Sequence, residues 1–280
     1  MEGNEYVKRP LWVNILIYAF LTLGAVIMIV PFVWMALTSL KSLPESIAVP
    51  PKWFPASLQW QNYKEAFSVV PLFVYFRNTL IVAVANTILT IIVTALAAFA
   101  FSRLRFKGKN ILFSLLLASM MVPGEMLIIQ NYVTVAAFGW IDTYAALILP
   151  WIASVFYIFL LRQYFLAIPE QLYYAAKVDG CGDWKYLWKI MVPIARNAIV
   201  TIAILNFVAC WNAFLWPLLV TNKESMRVLT TGLIEFTNEA GSDVHLQMAA
   251  ATFIVMPMIV VYVILRPYIL EGVSRSGIKG

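Results

Sequence analysis

Runs without a single charged side chain divide the sequence. No Asp, Glu, Lys, Arg or His falls in Leu11 to Thr38 (28 residues), Asn78 to Ser102 (25), Asn110 to Gly124 (15), Thr143 to Leu161 (19), Asn197 to Asn222 (26) or Leu246 to Leu265 (20). Most of these reach the roughly 20 residues needed to cross about 30 Å of hydrocarbon. The third is short, but a further uncharged stretch follows Glu125, so a helix over about 111–129 spans with its carboxylate near one end. Pro123-Gly124 marks an expected break or kink in that helix. The pattern predicts six helical spans, over about 11–37, 73–101, 111–129, 143–161, 198–220 and 247–268, forming one transmembrane domain, 1–280, of an all-α polytopic membrane protein.

Composition agrees. The 280 residues are 62% hydrophobic and only 12% charged, against about 45–50% apolar in soluble domains, with a mean hydropathy of +0.83. Disordered and disulfide-stapled classes are excluded, and Cys181 and Cys210 make no framework. The net charge of +6 reads as membrane topology rather than as nucleic-acid binding. Fourteen of the 20 Lys and Arg residues lie on one side: Lys8, Arg9, Arg103, Arg105, Lys107, Lys109, Arg162, Lys177, Lys185, Lys189, Arg196, Arg266, Arg275 and Lys279. The other six are Lys41, Lys52, Lys64, Arg77, Lys223 and Arg227. The positive-inside rule therefore places both termini and the segment after span four in the cytoplasm. The first span lacks a cleavage signal and reads as a retained anchor.

Three segments outside the spans stand out. Ser39 to Leu72 is Pro-rich and carries Trp53, Trp60 and Tyr63, which reads as a stiff interfacial connector or a docking surface for an external partner. Thr221 to His245 is acidic and reads as a solvated outer loop, with His245 solvated or capping at its edge. Between spans four and five, residues 162–197 punctuate as two short helices joined by a tight turn. Pro169 suits a first helical position, with Glu170 at the favourable end of the helix dipole. Gly180 supplies a left-handed terminating residue, and Asp183 suits the N-cap of the second helix. Leu172, Ala175, Ala176 and Asp179 share a narrow face of the first helix, open to close approach by a foreign surface. Trp184, Leu187, Trp188 and Met191 form a stripe on the second, suited to packing against the membrane.

The run "YYAAKVDGCGDWKYLWKIMVP" resembles the EAA loop of the membrane subunits of ATP-driven importers: Ala175, Ala176, Asp179, Gly180, Ile190 and Pro193 match in type and spacing. "FRNTL" from Phe76, "SRLRFKGK" from Ser102, "MVPGEM" from Met121, "DTYAALILP" from Asp142, "WNAFLWPL" from Trp211 and the closing "GIKG" are similar, in order, to the carbohydrate-uptake branch. The resemblance is to the ABC importer permease subunits of that branch, the binding-protein-dependent transport system inner membrane components, and it runs over nearly the whole chain. It implies a multi-pass subunit of the cell membrane that pairs with a second, related permease subunit. It also implies two ATPase subunits beneath, which hold ATP and Mg while this chain binds no cofactor, and an extracytoplasmic solute-binding protein that delivers a sugar. The coupling element so implied comprises Glu170, Tyr174, Ala175, Ala176, Asp179, Gly180 and Asp183, as a lever between helices four and five. Tyr174 stands where the family usually has Glu, Cys181 replaces Ala, Asn197 stands where many members have Pro, and Ala213 where many have an acid.

The chain's own chemistry is expected to be non-catalytic. "GCGD" at Gly180 to Asp183 matches the string of intramembrane aspartyl proteases, but no span offers a second Asp. "GVSRSGIKG" from Gly272 lacks the strand and the Ser or Thr of a phosphate loop, and a lone His makes no metal site. Polar side chains inside the spans are the candidates for a sugar pathway. Asn86 and Thr90 lie with Thr87 and Thr94 on one stripe of span two, which equally suits hydrogen bonding between helices. Asn206, Trp211 and Asn212 offer the amide and aromatic surfaces that sugars use, and Glu125 is the in-span carboxylate, near an interface. A secondary transporter is the competing reading, for which inverted repeats and ion-coupling acids would be expected.

Overall fold

The computed structural model describes residues 10–238 and 241–274. Lys8, Arg9, Glu239, Arg275, Lys279 and "GIKG", and with them both chain ends assigned to the cytoplasm, lie outside the described residues. In chain order the helices of five residues or more are α1 (Leu11–Thr38), α2 (Gln61–Val69), α3 (Leu72–Ser102), α4 (Lys109–Ser119), α5 (Ile128–Ala137), α6 (Tyr144–Ile148), α7 (Val155–Ala167), α8 (Glu170–Val178), α9 (Asp183–Ile194), α10 (Arg196–Trp211), α11 (Leu215–Val220) and α12 (Val244–Ser274). The strand content of the described residues is a two-residue antiparallel ribbon, Thr237–Asn238 with Gly241–Ser242.

Three helices are each long and apolar enough to cross a membrane: α1, α3, and α12 over Val244–Val263. Three pairs reach that length only jointly. Lys109–Ser119 and Gly124–Ala137 are bent by 90°, Tyr144–Trp151 and Val155–Ala167 by 48°, and Asp183–Ile194 and Arg196–Trp211 by 81°. The continuous third helix expected over 111–129 is thus two pieces, parted where Pro123 turns extended and Gly124–Leu127 coils into a 3-10 turn carrying Glu125. The fourth breaks before Ser154, whose hydroxyl accepts from the Tyr157 N–H and starts α7 afresh. The fifth, expected unbroken over 198–220, stops at Trp211. Pro217 gives the reason, since its ring would clash with the carbonyl four residues earlier, at Ala213, if the helix ran through.

The chain forms two compact units. One comprises residues 1–70 and 235–253. Here α1 is bare along its apolar length, and the Pro-rich segment after it is more tightly organised than a simple connector. Asn62 donates to the carbonyls of Ser39 and Lys41, both at 2.8 Å, and the Gln59 N–H donates to Leu40 at 3.0 Å. Lys41 is fully buried; its ammonium donates to the Lys52 carbonyl at 2.7 Å and lies 3.9 Å from the centre of the Trp34 ring, itself edge-on to Trp53. Glu45 accepts from the N–H groups of Ser42 and Ala56, and those two bonds hold its carboxyl below the usual range.

The second unit comprises residues 71–234 and 254–280. Its α3 is polar within and apolar without: Asn78, Thr79, Asn86, Thr87, Thr90 and Thr94 are buried, while Ile81, Val84, Ile88, Ile92 and Leu96 are exposed. That inversion is what a lipid solvent selects, because small and hydroxylated side chains let helices approach and hydrogen-bond. Ala95 and Ala98 of α3 pack with Leu161 and Phe165 of α7 and with Ala198 and Ile202 of α10. Arg103, just past α3, is buried and donates to the carbonyls of Phe165 (2.7 Å) and Ile168 (2.6 Å), joining the α3 end to the C-terminus of α7. The first part of the acidic loop is packed rather than solvated. Asn78 donates to Ser225 and Arg227 carbonyls, Leu229 is fully buried, and Gly232 lies against the Tyr75 ring.

Candidate functional site

Two places in the second unit gather the sequence candidates. The first is the α8 turn. Gly180 adopts φ +73°, the Cys181 N–H donates to Ala176 at 2.8 Å and the Gly180 N–H to Lys177 at 3.0 Å. These two bonds are the Schellman closure, which satisfies carbonyls that a helix end otherwise leaves orphaned. Asp183 is the first helical residue of α9 rather than its N-cap, a position held by Gly182. Its carboxylate serves the turn instead: it pairs with Lys177 at 2.7 Å and accepts from the Tyr173 hydroxyl at 2.7 Å. The Lys177 ammonium first, then the Tyr173 hydroxyl, hold the Asp183 carboxyl below its ordinary range. The same contact raises Lys177, and desolvation, followed by the hydrogen bond to Asp183, raises Tyr173.

The narrow face expected on α8 divides. Ala176 turns inward and is buried, whereas Glu170, Leu172, Ala175 and Asp179 stay exposed. Tyr174 is exposed, and its hydroxyl accepts from Arg105 at 2.6 Å, tying α8 to the loop between α3 and α4. Arg105–Tyr174 is a contact that sequence reasoning missed, since 69 residues separate the pair. The stripe on α9 also behaves differently. Leu187 and Met191 are buried with Tyr186 in the interior, and only Trp184 stands well exposed, edge-on to Trp188 at 5.8 Å. A π-turn spans Leu187–Met191, the stretch in which the stripe turns inward.

The second place is a cavity of about 390 Å³ among α3, α6, α7, α10 and α11. Both helix breaks open onto it: Ser154 lines it from one, Ala213 and Phe214 from the other. Non-helical backbone at membrane depth is tolerated where it is buried in protein or lines a cavity. Asn86 and Asn206 form one wall. Asn206 donates to the Asn86 side-chain oxygen at 2.9 Å and to Thr87 at 3.2 Å, Thr90 donates to the same Asn86 oxygen at 3.2 Å, and Asn86 donates to the Ile148 carbonyl at 2.9 Å. Thr90 sits behind this wall, fully buried. Trp211 does not line the cavity. It is buried between Phe76 and Phe207, with ring centres 5.9 and 5.7 Å away. Asn212 and Glu125 are exposed, Asn212 donating back to the Val208 carbonyl. Trp151, Tyr157 and Trp216, which the sequence search passed over, do line the cavity. Their aromatic-rich surroundings hold no charged motif that could have drawn attention to them.

A helical membrane bundle built from whole and broken apolar helices, enclosing a cavity and carrying a capped helix–turn on its surface, has the architecture of a transport permease. Residues 91–275 match the family described as the binding-protein-dependent transport system inner membrane component. The diacetylchitobiose uptake system permease protein NgcG of Streptomyces coelicolor is 31% identical, over 92% of this chain and 87% of that protein. The arabinooligosaccharides transport system permease protein AraQ of Bacillus subtilis is 31% identical over 81% of each chain. The sn-glycerol-3-phosphate transport system permease protein UgpE of Rhizobium meliloti is 32% identical over 96% and 98%. In fold the chain is similar to a chain of the solved bacterial ABC transporter that imports the acidic polysaccharide alginate, with a TM-score of 0.80 at 21% identity, covering 95% of this chain and 99% of that one. This protein belongs to the binding-protein-dependent transport system inner membrane component family: it is an ABC importer permease, multi-pass in the inner membrane.

Proposed function

We propose that this chain forms half of the transmembrane pathway of an ATP-driven importer that receives a saccharide, or a small saccharide derivative, from an extracytoplasmic solute-binding protein. The three long helices and three bent pairs then count as six crossings, with both termini and α8 on the cytoplasmic side. A second permease subunit completes the pathway. Two ATPase subunits bind ATP and Mg, and this chain holds no cofactor of its own.

One observation carries the reading. α8 is closed at Gly180, pinned through Asp183 and through the Tyr174 hydroxyl, and yet bare at Leu172 and Val178, the last 87% exposed. A helix held so firmly on one side and left apolar on the other transmits force from whatever covers it. In this scheme Glu170, Tyr174, Ala175 and Asp179 meet an ATPase. Ala176, Gly180 and Asp183 fix the lever to the bundle. Asn86 and Asn206 face the pathway, Thr90 and Trp211 hold that wall in register, and Glu125 and Asn212 lie at its margins. Saccharide cargo follows from the relatives, whose names specify diacetylchitobiose and arabinooligosaccharides.

The test is gentle solubilisation followed by copurification, then uptake in vesicles. An ATPase and a second permease should come down with the chain, and uptake should require ATP. Uptake that ignores ATP but collapses with the proton or sodium gradient would make the chain a secondary transporter instead.

A further inference from the structure

The cavity's lining speaks to the charge of its occupant. No Asp, Glu, Lys, Arg or His is among the residues around its 390 Å³. The two helix ends that meet there oppose one another. α7 presents its N-terminus, already capped by Ser154, and α10 its C-terminus, so their partial charges of about +0.5 and −0.5 offset. An anionic saccharide entering this space would lose water and gain no cation from this subunit, a transfer that burial penalises heavily.

What the walls do offer is suited to a neutral, hydroxylated ring. Trp151 and Trp216 stand edge to face, ring centres 5.6 Å apart, and the Trp216 N–H is spent on the Ala146 carbonyl at 2.9 Å, which fixes that indole. Aromatic faces of this kind stack on the C–H side of a sugar. Around them the Tyr157 hydroxyl and the Asn206 carbonyl oxygen have no hydrogen-bond partner among the described residues, and the Ser154 hydroxyl, which accepts from the Tyr157 N–H, still has its proton to donate; the Asn206 amide nitrogen is engaged at 2.9 Å by Asn86. One acceptor and two hydroxyls beside two indoles make a site of the usual kind for small molecules, mostly apolar with few polar groups. Its volume lies near the lower end of the range such sites span, about 300–1,000 Å³.

The geometry points to a saccharide-binding site within this subunit itself, lined by Trp151, Tyr157, Asn206 and Trp216, that accepts neutral sugars and rejects phosphorylated, sulfonated or uronate-bearing ones. The inference rests on the importer reading and narrows its cargo.

The experiment uses the whole transporter in proteoliposomes with its binding protein. Labelled neutral probes (diacetylchitobiose, arabinotriose, maltotriose) and anionic probes (glycerol 3-phosphate, an alginate trisaccharide) are offered in parallel. ATP-dependent uptake of a neutral probe is expected, with anionic probes at least 100-fold lower in kcat/KM. Tyr157→Phe and Trp151→Ala should each raise KM for that probe about tenfold. A second measurement covers variants that fail to fold: in the Cys181→Ser protein, Cys210, which lines the cavity, should react more slowly with a methanethiosulfonate when the transported sugar is present. Efficient ATP-dependent uptake of an anionic probe overturns the charge assignment and leaves the importer reading standing. Unchanged KM in both variants together with unprotected Cys210 overturns the site. Absence of ATP-dependent uptake of every probe overturns the importer reading itself, and this inference with it.

Discussion

Replacing Gly180 with Val tests the lever most directly. The residue sits at φ +73°, and a Cβ built there meets no atom within 4 Å. Crowding is therefore not the issue, and the cost is the backbone's own. An L-residue in the left-handed region costs roughly 1–2 kcal/mol, and a β-branched one falls at the upper end. Two kilocalories shift a two-state population by a factor of about 30, so the two Schellman bonds would open in a substantial share of molecules. Asn, which tolerates this region, should cost less. Two residues on, Gly182 has φ −69° and equally open surroundings, so Gly182→Ala provides a control of nearly the same size in the same turn. The assay is sugar taken up per ATP hydrolysed by the reconstituted complex, with membrane insertion scored separately. Gly180→Val should insert normally and lose most of its uptake per ATP, Gly180→Asn should lose little, and Gly182→Ala almost none. Wild-type coupling in Gly180→Val, or equal damage from Gly182→Ala, would refute the role of the closed turn.

Other consequences are open to measurement. The Asp183 carboxyl is held low by Lys177 and Tyr173, so its contribution is complete above the ordinary carboxylate range and fades as pH falls through the lowered value. Protease protection of the 179–183 turn should therefore be flat near neutrality and drop in acid, and Asp183→Asn should abolish that acid step; an identical acid step in Asp183→Asn would show that another group is responsible. Asn86→Ala removes the acceptor of the Thr90 hydroxyl, the donor to the Ile148 carbonyl and one acceptor of the Asn206 amide, which keeps Thr87. Given the modest worth of side-chain bonds inside bundles, averaging about 0.6 kcal/mol with a maximum near 1.7, melting in detergent should show a loss of about 1–2 kcal/mol, and a cycle with Asn206→Ala should be non-additive. A Cβ on Gly232 would lie 2.6 Å from the Tyr75 ring, so Gly232→Ala should lower the melting temperature, while Tyr75→Leu in the same chain should restore part of the loss.

What the sequence disclosed was governed by what side chains alone encode. The uncharged runs at 11–38 and 78–102 coincide with α1 and lie within α3, because each is one unbroken helix. Gly180 was legible as a helix end, since glycine is the residue that takes that geometry at least cost. The break before Ser154 was not, for it lies inside a run without charge, and the one after Trp211 was signalled only by Pro217, which a charge pattern does not register. Hydropathy sums over side chains and does not register where the backbone changes course. The cavity depended on those breaks, and so its aromatic wall went unseen. Arg103 and Arg105 were counted as cytoplasmic charge, whereas their partners, Ile168 and Tyr174, lie 65 and 69 residues away. The hydrogen-bonding role of Asn86 and Thr90 was within reach from their four-residue spacing on one helical stripe.

Arg103 bears on where this protein bends. Its guanidinium is sealed beneath α7's last turn on two carbonyls, those of Phe165 and Ile168. That seam is buried and joins two helix ends directly, which makes it a stiff joint. If the bundle changes shape during a cycle, the yielding joints must therefore be found elsewhere, at the 81° corner by Ala195 or the unwound stretch at 212–214, and spin labels straddling those points should move while a pair across the arginine weld stays still.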